Sequence, residues 1–168
     1  DPRTNAWEAV APVGTARFNH AVAVVDGKLY AVGGYKGDHL NSGEHHLSSV
    51  ERYDPAMNVW EAVAPMATAR CHHAVAVLDG KLYAVGGYDG YADHNHLSSV
   101  ERYDPAVGAW EAVAPMAAAR SDHGVAVLDG KLYAVGGYNG DEGYLSSVER
   151  YDPTENAWEE VAPMAAER

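Results

Sequence analysis

Cysteine is nearly missing: Cys71 stands alone among 168 residues, so no disulfide can form within the chain and the fold must hold without staples, as in a reducing compartment. Basic residues are scarce as well. Twelve Lys and Arg stand against 24 Asp and Glu, a formal charge of −12, which repels nucleic-acid phosphates and anionic lipid and argues against both as partners. No apolar run approaches the roughly 20 residues that a membrane-spanning helix needs, and the first residues show neither the basic start nor the apolar stretch of an export signal. A cytoplasmic protein is expected. No window of about 11 residues keeps an apolar period of 3.6, so no helix is expected. The sequence also contains no Gly-x-Ser-x-Gly, His-Glu-x-x-His, phosphate loop or Gly-x-Gly-x-x-Gly, and a non-enzymatic protein is the expectation.

Repetition is what the chain does have. GKLYAVGGY occurs at 27–35, 80–88 and 130–138, VERYDP at 50–55, 100–105 and 148–153, and tryptophan at Trp7, Trp60, Trp110 and Trp158. Within one unit, Asp79-Gly80 separates two apolar β-branched runs, a hairpin signal because a type I′ turn requires positive φ at both central residues. Both arms are apolar on both faces, so these two strands should be sandwiched. Ser98 to Tyr103 alternates and predicts a third strand with one wetter face. A turn follows at Asp104-Pro105, closed by a left-handed residue at Asn5, Asn58, Gly108 or Asn156, and Trp110 to Ala114 reads as the fourth strand. Four antiparallel strands in about 50 residues form the unit of a β-propeller blade.

A double glycine, then a tyrosine, then a tryptophan after six intervening residues (Tyr53 and Trp60, Tyr103 and Trp110, Tyr151 and Trp158) resembles the kelch repeat, in wording most similar to the kelch-like adaptor proteins. The resemblance implies an all-β kelch propeller, with an outer strand of a preceding blade in 1–16 and blades at 17–69, 70–119 and 120–168. In the adaptors, BTB and BACK regions recruit a cullin ubiquitin ligase, a role that would belong to a parent protein. The copies are nearly identical, as a consensus, otherwise engineered or recently duplicated sequence would be. Kelch rings usually have six or seven blades, and a row of three leaves an apolar face bare at each end. Two chains about a twofold axis would close six blades by an isologous interface, so a self-assembling homodimeric scaffold is the leading expectation. The outer strand occurs four times against three inner sets, leaving one surplus per junction.

Two further functions suggest themselves. By resemblance, a peptide would be gripped at the loop face by Arg17, Arg70, Arg120 and Ser121 with Tyr35, Tyr88 and Tyr138, since Arg forks onto carboxylates and Tyr offers a rigid wall. The charge of −12 weakens an acidic ligand, and the arginines read equally well as scaffold pairing with local carbonyls or carboxylates. Eight of the nine histidines form two groups. His20, His73 and His123 recur at the entry to each inner strand and read as packed or hydrogen-bonded structure. His39, His45, His46, His94 and His96 lie in loops of 13 and 10 residues following Gly34 and Gly87, where imidazoles with Asp38, Glu44 and Asp93 would suit Zn, Cu or Ni. Their spacing matches no standard zinc pattern; apart from these loops no cofactor is expected. A copper-radical site resembling the kelch oxidases would need a cysteine beside a tyrosine, but Cys71 fills a slot held by Phe18 and Ser121 in the sister blades.

Overall fold

A computed structural model describes residues 2–37, 45–90 and 95–168, with His45 by its backbone alone. In the first blade β1 (Ala21–Val25) and β2 (Lys28–Val32) form a hairpin, β3 (Tyr35–Lys36) and β4 (His45–His46) a short ribbon, and β5 (Val50–Asp54) and β6 (Val59–Val63) complete the sheet in the order β1-β2-β5-β6. The second blade repeats this with β7 (Ala74–Leu78), β8 (Lys81–Val85), β9 (Val100–Asp104) and β10 (Ala109–Val113). The third does so with β11 (Gly124–Leu128), β12 (Lys131–Val135), the ribbon β13 (Tyr138–Asn139) and β14 (Gly143–Tyr144), then β15 (Val148–Asp152) and β16 (Ala157–Val161). All ladders are antiparallel, and among the described residues there is no helix.

The turns follow from local chemistry. Asp79 and Gly80 have φ of 51° and 72°, the left-handed pair that a type I′ turn demands and that matches strand twist. At the outer hairpin, Asp104 Oδ1 accepts from the Ala106 N–H and Gly108, at φ 73°, closes the loop, while Asn58 and Asn156 do so at 53° and 49°. That hairpin explains the six-residue spacing: Tyr103 lies opposite Trp110 with ring centroids 5.2 Å apart, a cross-strand pair of the kind that holds a sheet together.

Blades stack through apolar faces. Val25, Tyr30, Val32, Val50 and Met66 of the first meet Leu82, Ala84 and Tyr103 of the second. Leu78, Tyr83, Val85, Val100 and Met116 of the second meet Leu132, Ala134 and Tyr151 of the third. Burial differs from expectation in the innermost strands: β2, β8 and β12 are largely enclosed, but β1 and β11 are not, with Val24 61% and Leu128 57% exposed. Their second faces lie on the outer sides of the first and third blades, where no blade within this chain packs. Residues 6–13 belong to no sheet, and Trp7 is fully exposed.

Candidate functional site

The second strand of each blade ends at a double glycine that turns the chain toward the loop face. Gly86 sits at φ 60°, and a Cβ there would lie 2.5 Å from the Arg120 carbonyl oxygen and 2.9 Å from His123 Cε1; only glycine lets backbone and imidazole approach so closely. The next residue is tied to the entry of the innermost strand. Phe18 and Tyr35 exchange backbone hydrogen bonds of 3.0 and 2.9 Å, as do Cys71 with Tyr88 and Ser121 with Tyr138. This fixes Tyr35, Tyr88 and Tyr138 at one height in successive blades.

The tyrosines do not stand apart. Ring contacts run Phe18–Tyr35–His46–Tyr88–His96–Tyr138–Tyr144 with centroid separations of 4.6, 5.3, 5.6, 5.5, 5.4 and 5.4 Å. His46, His96 and Tyr144 occupy one repeat position, just before Leu47, Leu97 and Leu145, and each of the two imidazoles fills the gap between the tyrosines of adjoining blades. At the two ends of the row, the edge-to-face pairs Phe18–Tyr35 and Tyr138–Tyr144 each add about 0.5–1.5 kcal/mol beyond area burial. His46 also lies against Gly90, whose missing side chain makes room for the ring. This role went unread in the sequence, although the repeat position before the leucine was a signal that could have revealed it.

Nearer the axis the residues two past each arginine form a second chain. Asn19 Nδ2 lies 2.9 Å from His72 Nε2, and His72 Nδ1 lies 2.7 Å from Asp122 Oδ1. With the amide donating to Nε2, the Nδ1–H is directed to the carboxylate. Backbone bonds from His72 N to Asn19 O and from Asp122 N to His72 O run alongside. All three residues have left-handed φ near 50°.

The arginines are turned inward. Arg70 donates to the carbonyls of Gly86 and Ser99 at 2.7 and 3.1 Å and to Glu101 Oε1 at 2.8 Å, and Glu101 also accepts from the N–H groups of Ala67 and Thr68. Arg120 does the same with Gly136, Ser147 and Glu149, and Arg17 with Gly33, Ser49 and Glu51. Arg70 and Arg120 are 0% exposed and Ser121 3%. Of the seven residues expected at a peptide, Tyr35, Tyr88 and Tyr138 are half-buried, whereas the guanidiniums are committed to the seams between blades. Burial alone would push the Glu51 carboxyl up, but hydrogen bonds from Arg17, Gly14 and Thr15 outweigh it and hold its pKa below the ordinary value.

His73 and His123 are buried beside the arginines, and neither ring nitrogen of either has a hydrogen-bond partner among the described residues. Burial first, then the neighbouring guanidinium, lowers both pKa values to about 3, so the rings are neutral, as packed structure requires. Of the residues considered for metal, His39, His94, Asp38, Glu44 and Asp93 lie outside the described residues, as does the His45 side chain. His46 and His96 each contact Tyr88, which stands between them. Among the described residues no three His, Cys, Asp or Glu side chains group as a metal site would.

Comparison with known proteins agrees with this architecture. The family model described as the KLHDC2/KLHL20/DRC7 Kelch-repeats domain matches residues 1–167. Human Kelch-like protein 35 is 46% identical over 81 residues, covering 48% of this chain and 13% of that protein. Human Kelch-like protein 33 is 43% identical over 91 residues, covering 54% and 16%. The chain thus spans a small part of the length of these relatives. Among solved structures, that of YjhT superposes on 96% of this chain and 56% of its own with a TM-score of 0.83 at 19% identity, a likeness of fold. With three four-stranded blades, the double-glycine ends and the cross-strand Tyr–Trp pairs in place, the chain belongs to the kelch-repeat family of β-propeller proteins.

Proposed function

We propose that the chain is a non-enzymatic protein-interaction module whose first partner is a second copy of itself, two three-blade units closing one six-blade ring. The supporting observation is that its outer faces are the two halves of a junction it already builds twice. The third blade offers Leu128, Tyr133, Val135, Val148 and Met164, the counterparts of the set that the first and second blades use. The first blade offers Leu29, Tyr53 and Trp60, counterparts of Leu82, Tyr103 and Trp110. Covering such faces is worth about 25 cal/mol for each Å² of apolar area removed from water. Light scattering on folded protein tests it: twice the 18.0 kDa of one chain is expected, and a mass of one chain overturns it.

A second reading concerns the loop face and is favoured by the ring ladder. With the arginines in the seams, that face presents aromatic and imidazole rings beside Asp89, Asp122, Asp141 and Glu142, so its complement is a basic peptide with apolar or cationic side chains. A fluorescent Arg-rich peptide should bind at low salt and weaken in Tyr88→Ala, while a Glu-rich peptide should not bind; the reverse preference sinks this reading.

A further inference from the structure

A twelve-residue segment recurs at both ends of the array. Residues 6–17 read AWEAVAPVGTAR and 157–168 read AWEEVAPMAAER, and their counterparts 59–70 and 109–120 lie at the two internal junctions. Each internal copy serves two blades. Its first half is the outer strand of the blade it leaves: β6 on β5, β10 on β9. Its second half docks on the next blade. There the Ala64 carbonyl accepts from Trp110 Nε1 at 2.9 Å, the N–H groups of Ala67 and Thr68 donate to Glu101, and Arg70 enters the seam.

The two outer copies each complete one half. Residues 157–161 pair with β15, and Met164 and Arg168 donate their N–H groups to Ser146 and Leu145 of the same blade. Residues 11–17 dock on the first blade with the full set: Ala11 N–H to Asn58 Oδ1, Trp60 Nε1–H to the Ala11 carbonyl, Gly14 and Thr15 N–H to Glu51, and Arg17 to Gly33, Ser49 and Glu51. Residues 6–10 lie in no sheet.

Where the third blade of one protomer meets the first blade of its partner, both segments address a single slot, and one must leave for the ring to close. We propose that residues 6–17 of each protomer take this slot, with 6–10 pairing along Val148–Asp152 of the partner in place of 157–161, a reciprocal strand exchange. The inference rests on the two-chain ring proposed above. The docked half of 6–17 already fills the seam with a buried ion pair, which the other segment could enter only by ejecting Arg17. The strand half fits better as well. In the register of β10 on β9, Ala9 falls opposite Glu149 and Trp7 opposite Tyr151, placing Trp7 to donate to the Ala114 carbonyl as Trp158 does now. The resident strand instead sets Glu160 opposite the buried Glu149, a like-charge pairing missing from the other blades, where Ala62 and Ala112 face Glu51 and Glu101.

Alanine substitution in the full chain separates the outcomes. Trp110→Ala, whose strand has no substitute, should lower the melting midpoint by several degrees. Trp7→Ala and Trp158→Ala should each do little, because the other segment steps in, and the double variant should fall as far as Trp110→Ala. As a second measurement, Glu8→Cys with Arg150→Cys, in a Cys71→Ser background, should give a disulfide-linked pair of chains on a non-reducing gel. A dimer in which Trp158→Ala alone matches Trp110→Ala and no cross-link forms overturns the exchange and leaves the ring standing. A monomer overturns both.

Discussion

Arg70 and Glu101 show how a single pair decides what a propeller seam is for. Desolvating two charges costs several kcal/mol, and the pair holds because carbonyls and backbone N–H groups take up the remaining donors and lone pairs. Arg70→Ala leaves Glu101 buried and unpaired and should cost about 3–5 kcal/mol in urea unfolding. Arg102→Ala, which breaks the exposed pair with Glu111, should cost under about 1 kcal/mol. Equal losses would refute the seam role. The buried histidines set an acid limit. Their folded pKa near 3 lies below the ordinary value of about 6.5, so between these pH values the unfolded chain binds more protons and stability falls as pH falls. The melting midpoint should drop on acidification from pH 7 to 4, and His73→Asn with His123→Asn should flatten that slope; an unchanged slope would assign it elsewhere. Sequence placed these residues at repeat positions but left the arginines open between ligand and scaffold, because glutamate partners 29 to 34 residues away are joined only by the sheet and the seam.

At the level of strands and turns the sequence was most legible. The Asp-Gly turn, the proline-led outer hairpin and its left-handed closing residue are short-range chemistry, and each lies where local rules put it. The ribbons β3–β4 and β13–β14 were not foreseen: at two residues per arm they carry no readable alternation. Nor was the partial exposure of β1 and β11, whose apolar faces look like those of β7 in sequence and differ only in that β7 packs between two strands of adjoining blades while each of them packs against β7 alone. The double glycine gives a test here. Gly86→Ala must force a positive φ and a 2.5 Å approach to the Arg120 carbonyl, and should cost about 1–3 kcal/mol; a neutral result in chemical denaturation would show that the seam can shift.

For the molecule as a whole, three blades form two complete junctions and two half junctions, and the half junctions carry the proposed assembly. Because its faces are apolar, the midpoint of thermal unfolding should rise with protein concentration, as mass action requires of an associating fold. A midpoint independent of concentration, together with a single-chain mass, would leave the blades standing alone. The loop face reads differently in three dimensions: the arginines that the family resemblance aims at a ligand are spent inside, and rings and carboxylates remain.

By itself the sequence determined the repeat, the four strands of each blade, their turns and the kelch family, because β-branched runs, Asp-Gly pairs and Tyr–Trp spacings act over a few residues. Only the tertiary structure decided which repeated side chains line the loop face and which hold blades together. Arg70 with Glu101, His46 between Tyr35 and Tyr88, and His72 between Asn19 and Asp122 are contacts that arise when distant segments stack, and burial, not residue type, gives each its role.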